Sequence, residues 1–113
     1  MDCIFCKIIA GEIPSEKVYE DSKFFAFKDI APVTPVHVLV VPKEHIQSLA
    51  HIAEKDTATI SQLLPTIKKI AEQLGLKESG YRVVFNTGEL AGQTVPHLHA
   101  HILGGKKMDW PGV

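Results

Sequence analysis

The sequence lacks long apolar runs and a marked excess of charge of either sign. No stretch of 18 apolar residues occurs among its 113, so it contains no transmembrane helix. Twelve basic residues stand against 13 acidic ones, without a strong basic run, and electrostatics therefore gives no reason to expect a nucleic-acid or membrane partner. The first residues lack a basic region followed by an apolar core, and we expect a cytoplasmic protein without a secretory signal.

Internal repeats and linkers are also absent, and the length fits a single domain over residues 1–113. Cysteine occurs only at Cys3 and Cys6, which is a spacing used by metal and redox sites. A thioredoxin-like site would need a strand-to-helix junction that the pattern here does not indicate, and a reducing compartment disfavours a disulfide. A zinc ion would need about two further ligands, and the alternative is that both cysteines pack a short helix. The candidate further ligands are His37, His45, His51 and His97.

Hydrophobic periodicity predicts an α+β fold, a five-stranded antiparallel sheet with helices packed on one face. Gly75 should end the long helix, and Pro65 should kink it because proline lacks an N–H and clashes with the preceding turn. The predicted elements are a short helix from Cys3 to Ala10, strands at Lys17–Glu20, Phe24–Phe27, Val36–Val41 and Tyr81–Asn86, a long helix from Asp56 to Leu74, and a final strand that begins at His97.

Three of the six histidines stand at alternate positions between residues 97 and 101. In an extended strand His97, His99 and His101 would share one face, with the apolar residues between them facing the core. His97 and His101 would then lie roughly 13 Å apart on a straight strand, too far for one zinc ion to bind all three. Two of them could still chelate together and leave the third free. Because the imidazole pKa lies near neutrality, the row suits nucleophilic attack, proton transfer or metal binding, whereas an ordinary half-buried strand would carry Thr, Lys or Glu.

A glycine-containing loop leads directly into this row. Gly88 and Gly92 allow backbone N–H groups to turn towards an anion, and Asn86, Gln93 and Thr94 add side-chain donors. The loop therefore predicts a phosphate-binding segment, with an ordinary turn as the alternative.

Together these motifs resemble the histidine triad (HIT) family over essentially the whole chain. The family motif is His-φ-His-φ-His-φ-φ, where φ is apolar, and residues 97–103 fit it at every position. The segments 29–30, 35–46, 86–88 and 92–95 are similar to their counterparts in the family. The tail over residues 104–112 resembles that of the Hint branch, the nucleoside phosphoramidases.

The resemblance implies a HIT fold whose sheet extends across a homodimer, and an enzyme that hydrolyses purine nucleoside 5′-phosphoramidates without a catalytic metal. His99 would be the nucleophile that carries the nucleotidyl group. His101 would contact the phosphate or protonate the leaving amine, and His37 would orient the cluster. The implied nucleotide site comprises Asp29 for the ribose, Asn86, Gly92, Gln93 and Thr94 for the phosphate together with His99 and His101, and Ile4, Phe5, Ile8, Phe27 and Ile30 around the base.

The cysteine pair resembles that of many bacterial HIT proteins and of the distantly related galactose-1-phosphate uridylyltransferases. In those proteins it shares a structural zinc ion with two histidines. The matching set here is Cys3, Cys6, His45 and His97, which would leave His99 free. Two other functions stay open, a dinucleoside polyphosphate hydrolase and a nucleotide-binding regulatory protein. The Trp-Pro-Gly tail argues against the first, and the intact triad argues against the second.

Overall fold

The computed structural model describes residues 3–112, so residues 1, 2 and 113 of the predicted domain lie outside the described residues. Five strands form one antiparallel sheet in the order β1-β2-β3-β5-β4. This confirms the predicted fold class. The strands are β1 (Lys17–Glu20), β2 (Phe24–Lys28), β3 (Val36–Pro42), β4 (Arg82–Val84) and β5 (Ala100–Gly104), and the helices are α1 (Ile4–Ile9), α2 (Thr57–Ile60) and α3 (Leu63–Gln73). None of these helices has the length and hydrophobicity that crossing a bilayer requires.

Both faces of the central strands are buried, so the expectation of helical cover on one face only was wrong. β2 and β3 are apolar at successive positions, and their side chains alternate between two clusters. On one face they pack against α3, and on the other against α1. The first cluster includes Phe24, Ala26, Val38, Val40, Ile67 and Ile70, and the second includes Phe5, Ile8, Phe25, Phe27, Leu39 and Val41.

The predicted long helix is interrupted before Pro65. α2 ends at Ile60, and α3 begins at Leu63. A proline ring clashes with the carbonyl four residues earlier, which here belongs to Ser61, at the break. Pro65 itself then lies in the first turn of α3, where a missing N–H has no helical partner to lose. Leu64, which precedes Pro65 in the first turn of α3, is exposed.

The final strand begins three residues later than predicted, at Ala100. The His97 N–H donates to the Val95 carbonyl at 2.8 Å, closing a three-residue turn around Pro96. The fixed φ of proline suits the centre of such a turn, and its missing N–H suits the end of a ladder. His97 therefore precedes the strand, and only His101 of the three histidines lies in β5. β4 is correspondingly short, because its pairing with β5 ends near the start of that strand.

Candidate active site

His99 is buried, and one backbone acceptor fixes its ring. Its Nδ1 lies 2.7 Å from the His97 carbonyl oxygen. A carbonyl only accepts, so Nδ1 must carry the proton, and the lone pair is then on Nε2. The edge of the Phe5 ring packs against the imidazole, with centroids 5.0 Å apart. His99 is thus held in the tautomer that leaves one nitrogen free as a nucleophile.

His37 and His101 form a directed hydrogen-bond chain beside His99. The Val33 N–H donates to His37 Nδ1 at 3.1 Å, so His37 carries its proton on Nε2. That nitrogen lies 2.9 Å from His101 Nδ1, which must accept. His101 then presents Nε2–H as a donor. This atom is buried and has no hydrogen-bond partner among residues 3–112, and its ring centroid lies 5.0 Å from that of His99.

The environment keeps these imidazoles neutral. Burial, supported by the neighbouring His99 and His37, lowers the pKa of His101 from its usual 6.5 to about 4, although Asp29 acts in the opposite direction. Burial also lowers the pKa of His37, again against Asp29. Both rings therefore donate or accept hydrogen bonds as uncharged groups near pH 7.

Four predicted ligands converge at the start of α1. The Nδ1 atom of His97 lies 3.4 Å from the Cys3 sulfur, 3.5 Å from the Cys6 sulfur and 3.1 Å from Nδ1 of His45. His45 Nδ1 lies 3.4 Å from the Cys6 sulfur. The His97 Nε2–H donates to the Pro42 carbonyl at 2.8 Å, which directs the Nδ1 lone pair towards the cluster. This group, called the Cys/His cluster below, could hold a metal ion.

The trio of Asp29, His37 and His101 also brings metal-ligating atoms together, but in a different geometry. The His37 and His101 nitrogens are 2.9 Å apart while the ring centroids are 5.2 Å apart. The rings therefore lie nearly end to end, as in a direct hydrogen bond. In the Cys/His cluster the nitrogens are farther apart, at 3.1 Å, yet the centroids are closer, at 4.9 Å. The lone pairs of His45 and His97 therefore point to a common position beside the line that joins their nitrogens, as those of metal ligands must. The His37–His101 pair does not have this geometry.

The loop before the histidines is braced by the side chain of Gln93. Its oxygen accepts from the Gly88 N–H at 2.9 Å, and its amide nitrogen donates to the carbonyls of Gln47 and Val95 at 2.9 and 3.0 Å. Both amide hydrogens are therefore engaged, and Gln93 acts here as a support for the loop. Gly88 and Gly92 adopt φ values of +84° and +82°, a conformation that favours glycine. Thr94 is exposed next to them.

The other predicted nucleotide contacts divide into two groups. Asp29 lies near the histidines, with Oδ2 3.4 Å from His37 Nε2 and Oδ1 accepting from the Ala31 N–H at 2.8 Å. Phe5 and Phe27 are buried with their ring centroids 5.5 Å apart, and Phe5 also packs against His99. Ile8 is buried in the same apolar cluster, whereas Ile4 is about half exposed and Ile30 is fully exposed.

A cavity of about 310 Å³ opens beside the His37–His101 pair, lined also by Asn86, Arg82 and Pro111. Arg82, the one arginine of the sequence, donates to the carbonyls of Asp109 and Gly112 and holds the tail at the cavity rim. Sequence reasoning missed this role, although the rarity of arginine was a usable signal. It could not find the Val33 N–H or the Pro42 carbonyl, because every non-proline residue carries an N–H and every residue a carbonyl.

Comparison with known proteins finds one family of similar sequences and structures. The HIT domain family matches residues 10–108. An uncharacterized HIT-like protein of Synechococcus elongatus is 53% identical over 110 residues, covering 97% of this chain and 96% of the relative. The crystal structure of a HIT family hydrolase from Legionella pneumophila superposes with a TM-score of 0.93 at 45% identity, covering 97% of this chain and 98% of that one. A histidine triad nucleotide-binding protein from Candida albicans gives a TM-score of 0.83 at 40% identity, covering 99% and 85%.

Proposed function

This chain belongs to the HIT domain family, and from that premise we propose that it hydrolyses purine nucleoside 5′-phosphoramidates. The products would be a nucleoside monophosphate and an amine, as in the Hint branch. The observation that carries the proposal is that His99, with its Nε2 lone pair available, lies beside His101, whose buried Nε2–H has no partner among residues 3–112. The nucleotide-binding relative from Candida albicans and the hydrolase from Legionella pneumophila support the substrate class and the reaction type.

The first step of the proposed reaction is attack on phosphorus. The lone pair of His99 Nε2 forms a bond to the α-phosphorus, and the bond from phosphorus to the amine nitrogen breaks. The departing nitrogen takes up a proton from solvent and leaves as the neutral amine. The Nδ1–H of His99 remains hydrogen-bonded to the His97 carbonyl, and this bond stabilises the positive charge that develops on the ring. His101 Nε2–H donates to a phosphate oxygen or to the departing nitrogen, and His37 holds it in the required tautomer.

In the second step, water attacks the nucleotidyl-His99 intermediate. A new bond forms from the water oxygen to phosphorus, and the bond to Nε2 breaks, which releases the monophosphate and restores the free imidazole. The proton lost by the attacking water returns to solvent and balances the one taken up in the first step. Asp29 would bind the ribose hydroxyls, and loop residues 86–94 would bind phosphate oxygens through their N–H groups. Asn86 would contact the substrate from the wall of the cavity. No catalytic metal takes part in this scheme.

Replacement of His99 tests the function directly. We expect His99→Ala to lower kcat for an adenosine 5′-phosphoramidate by several orders of magnitude while nucleoside monophosphate still binds, because only the covalent route is lost. A panel that includes dinucleoside polyphosphates measures the substrate preference. Near-normal turnover in the variant would refute the mechanism, and binding without turnover in the unmodified protein would favour a regulatory role.

We further propose that the Cys/His cluster binds structural zinc. Tetrahedral bonds of about 2.0–2.1 Å to nitrogen and about 2.3 Å to sulfur require nitrogen–nitrogen and nitrogen–sulfur separations of about 3.3 and 3.5 Å. The structure has 3.1 Å for the first and 3.4–3.5 Å for the second. Zinc would there tie α1 to the sheet, with no position open to substrate.

Elemental analysis of protein purified without added metal tests the zinc assignment. We expect about one equivalent per chain, with Cys3 and Cys6 protected from thiol reagents, and a lower Tm after chelation because binding energy stabilises the folded state. Less than about a tenth of an equivalent, with both thiols fully reactive, would refute it. The double variant Cys3→Ser/Cys6→Ser, which should bind no zinc, is the control.

A further inference from the structure

The free N–H of His101 depends on one backbone amide in the loop between β2 and β3. The Val33 N–H donates to His37 Nδ1 at 3.1 Å, and His37 Nε2–H donates to His101 Nδ1 at 2.9 Å. If His37 carried its proton on Nδ1 instead, His101 would donate from its own Nδ1, and its Nε2 would hold a lone pair. The position of the Val33 N–H therefore decides whether His101 can donate a hydrogen bond to a substrate.

The loop that carries this amide, residues 29–35, has little backbone support. From residue 30 onward its backbone makes no hydrogen bond to another backbone group of residues 3–112. Its two prolines have a fixed φ. The peptide group between Pro32 and Val33 can nevertheless turn, through the ψ of the first residue and the φ of the second. Side chains must therefore hold the Val33 N–H in its position.

One buried side chain fixes the end of this loop. Thr34 is 5% exposed, and its hydroxyl donates to the Val36 carbonyl at 2.6 Å. Val36 is the first residue of β3 and pairs with Gly104 of β5, so this bond ties Thr34 to the sheet. Because the threonine is buried, its hydroxyl depends on that carbonyl as a partner. Pro35 lies so close to Gly105 that a Cβ added there would come within 2.9 Å of the proline ring.

We propose that Thr34 is a positioning residue for the hydrogen bond that His101 donates during the reaction. The hydroxyl of Thr34 fixes the chain next to the Val33 amide, this amide selects the tautomer of His37, and His37 selects the tautomer of His101. The inference deepens the proposed function and rests on it for the use of the His101 N–H in the reaction.

Asp29 limits the effect that loss of this hydroxyl can have. Its Oδ2 lies 3.4 Å from His37 Nε2 and, as an acceptor, also favours a proton on that nitrogen. The distance is longer than the 2.9 Å from the same nitrogen to His101 Nδ1. The Val33 N–H acts more directly, because a proton on His37 Nδ1 would point at another N–H. Removal of the Thr34 hydroxyl should therefore give a mixture of tautomers and not a complete reversal.

Three substitutions at position 34 separate the hydroxyl from the rest of the side chain. Thr34→Val keeps the branched shape without the O–H, and Thr34→Ser keeps the O–H without the methyl group. Thr34→Ala differs from Thr34→Ser by the oxygen alone, so this pair decides the question if Thr34→Val does not fold. Thr57→Val, the same change at an exposed residue of α2, is the matched control.

Each variant is measured in two independent ways, after far-UV circular dichroism has shown that it is folded. Steady-state hydrolysis of an adenosine 5′-phosphoramidate gives kcat and KM. Two-bond ¹H–¹⁵N spectra of ¹⁵N-histidine protein at pH 7 report the tautomers of His37 and His101. The variants His37→Gln and His101→Gln assign the signals.

We expect Thr34→Val and Thr34→Ala to lower kcat about tenfold, part of the roughly 10²–10³-fold loss that follows complete removal of one such donor, with a smaller change in KM. His37 and His101 should pass together from one tautomer to a mixture. Thr34→Ser and Thr57→Val should keep the tautomers and the turnover of the unmodified protein.

A lower Tm with unchanged tautomers or unchanged kcat in the folded variants would show a merely structural role for Thr34 and overturn the proposal. Equal losses of kcat in Thr34→Ser and Thr34→Ala would also overturn it, because the hydroxyl would then not matter. If the unmodified protein hydrolyses no phosphoramidate, the proposed function fails, and the tautomers of Thr34→Ala still decide whether Thr34 positions the histidines.

Discussion

At the scale of single residues, burial lowers the pKa of His37 and His101 and so favours their neutral forms. His101 is an uncharged donor because its pKa falls to about 4 through burial and the neighbouring His99 and His37. Its Nδ1 is occupied by His37, whose own tautomer depends on the Val33 N–H. One backbone amide thus determines, through two imidazoles, which nitrogen of His101 can face a substrate.

The lowered pKa of His101 predicts that the protein loses stability in mild acid. An unfolded histidine keeps its usual pKa of 6.5, so between pH 6.5 and about 4 the unfolded chain binds a proton that the folded chain does not. The free energy of unfolding therefore decreases as the pH falls through this window, by at most about 3 kcal/mol at 1.36 kcal/mol per pKa unit.

Urea denaturation at about pH 7, 5.5 and 4.5 measures this dependence, with His101→Gln as the comparison. The variant should lose less stability over the same range. It should retain part of the slope, because burial also lowers the pKa of His37 and of His97. Identical slopes in the two proteins would contradict the assignment to His101.

At the scale of elements, backbone hydrogen bonds around a glycine end both α1 and α3. α3 ends in a Schellman motif, in which the Leu76 N–H donates to the Ala71 carbonyl and the Gly75 N–H to the Glu72 carbonyl. Gly75 has a φ of +78°. α1 ends in the same way at Gly11, where the Glu12 N–H donates to the Lys7 carbonyl. After each of these turns the chain leaves the helix and continues towards the next strand of the sheet.

We expect Gly75→Ala to lower the free energy of unfolding by about 1–2 kcal/mol, because a Cβ disfavours the left-handed conformation. Apart from Gly75 and its two chain neighbours, no heavy atom of residues 3–112 lies within 4 Å of the added carbon, so the loss measures backbone strain. Gly112→Ala is the matched control, since its Cβ also meets open space and its φ is not positive. Gly75→Asn should lose less. Equal denaturation midpoints for Gly75→Ala and Gly112→Ala would show that this φ carries no strain.

At the scale of the whole molecule, β4 forms an edge of the sheet that no other strand of residues 3–112 pairs with. It is the last strand in the order β1-β2-β3-β5-β4 and has three residues. An unpaired edge offers N–H and C=O groups to another strand. Arg82 of β4 also holds the tail, where Trp110 is 87% exposed. An exposed tryptophan beside an open strand edge is consistent with the predicted homodimer, whose sheet would continue across the two copies.

Sedimentation equilibrium at micromolar concentration tests that assembly. We expect twice the mass of one chain, and we expect denaturation to depend on protein concentration because association stabilises the folded state. Trp110→Ala is the companion variant. If Trp110 is exposed in a monomer, the substitution should change the free energy of unfolding little. If Trp110 is buried in a dimer, the substitution should weaken association. A monomer over this concentration range would refute the prediction.

The sequence by itself determined the family and most of the strand pattern, and it predicted which side chains are reactive. The triad motif, the cysteine pair and the continuously apolar strands are patterns of neighbouring residues. They can therefore be read directly from the sequence. From the residues alone, however, four histidines remained candidates to join Cys3 and Cys6, and the resemblance to the family was needed to select His45 and His97. The predicted start of β5 was wrong, because the turn at Pro96 depends on a backbone hydrogen bond that the alternation of side chains does not encode.

Only the tertiary structure decided how the chemistry is arranged. It brings His45 next to Cys6, which lies 39 positions before it in the chain, and next to His97, which lies 52 positions after it. It also assigns the histidine tautomers through the Val33 N–H and the carbonyls of Pro42 and His97. It also engages both amide hydrogens of Gln93 within the loop and leaves Ile30 in solvent. These outcomes depend on long-range packing and on backbone groups that nearly every residue possesses. Residue identity therefore could not specify them before the chain folded.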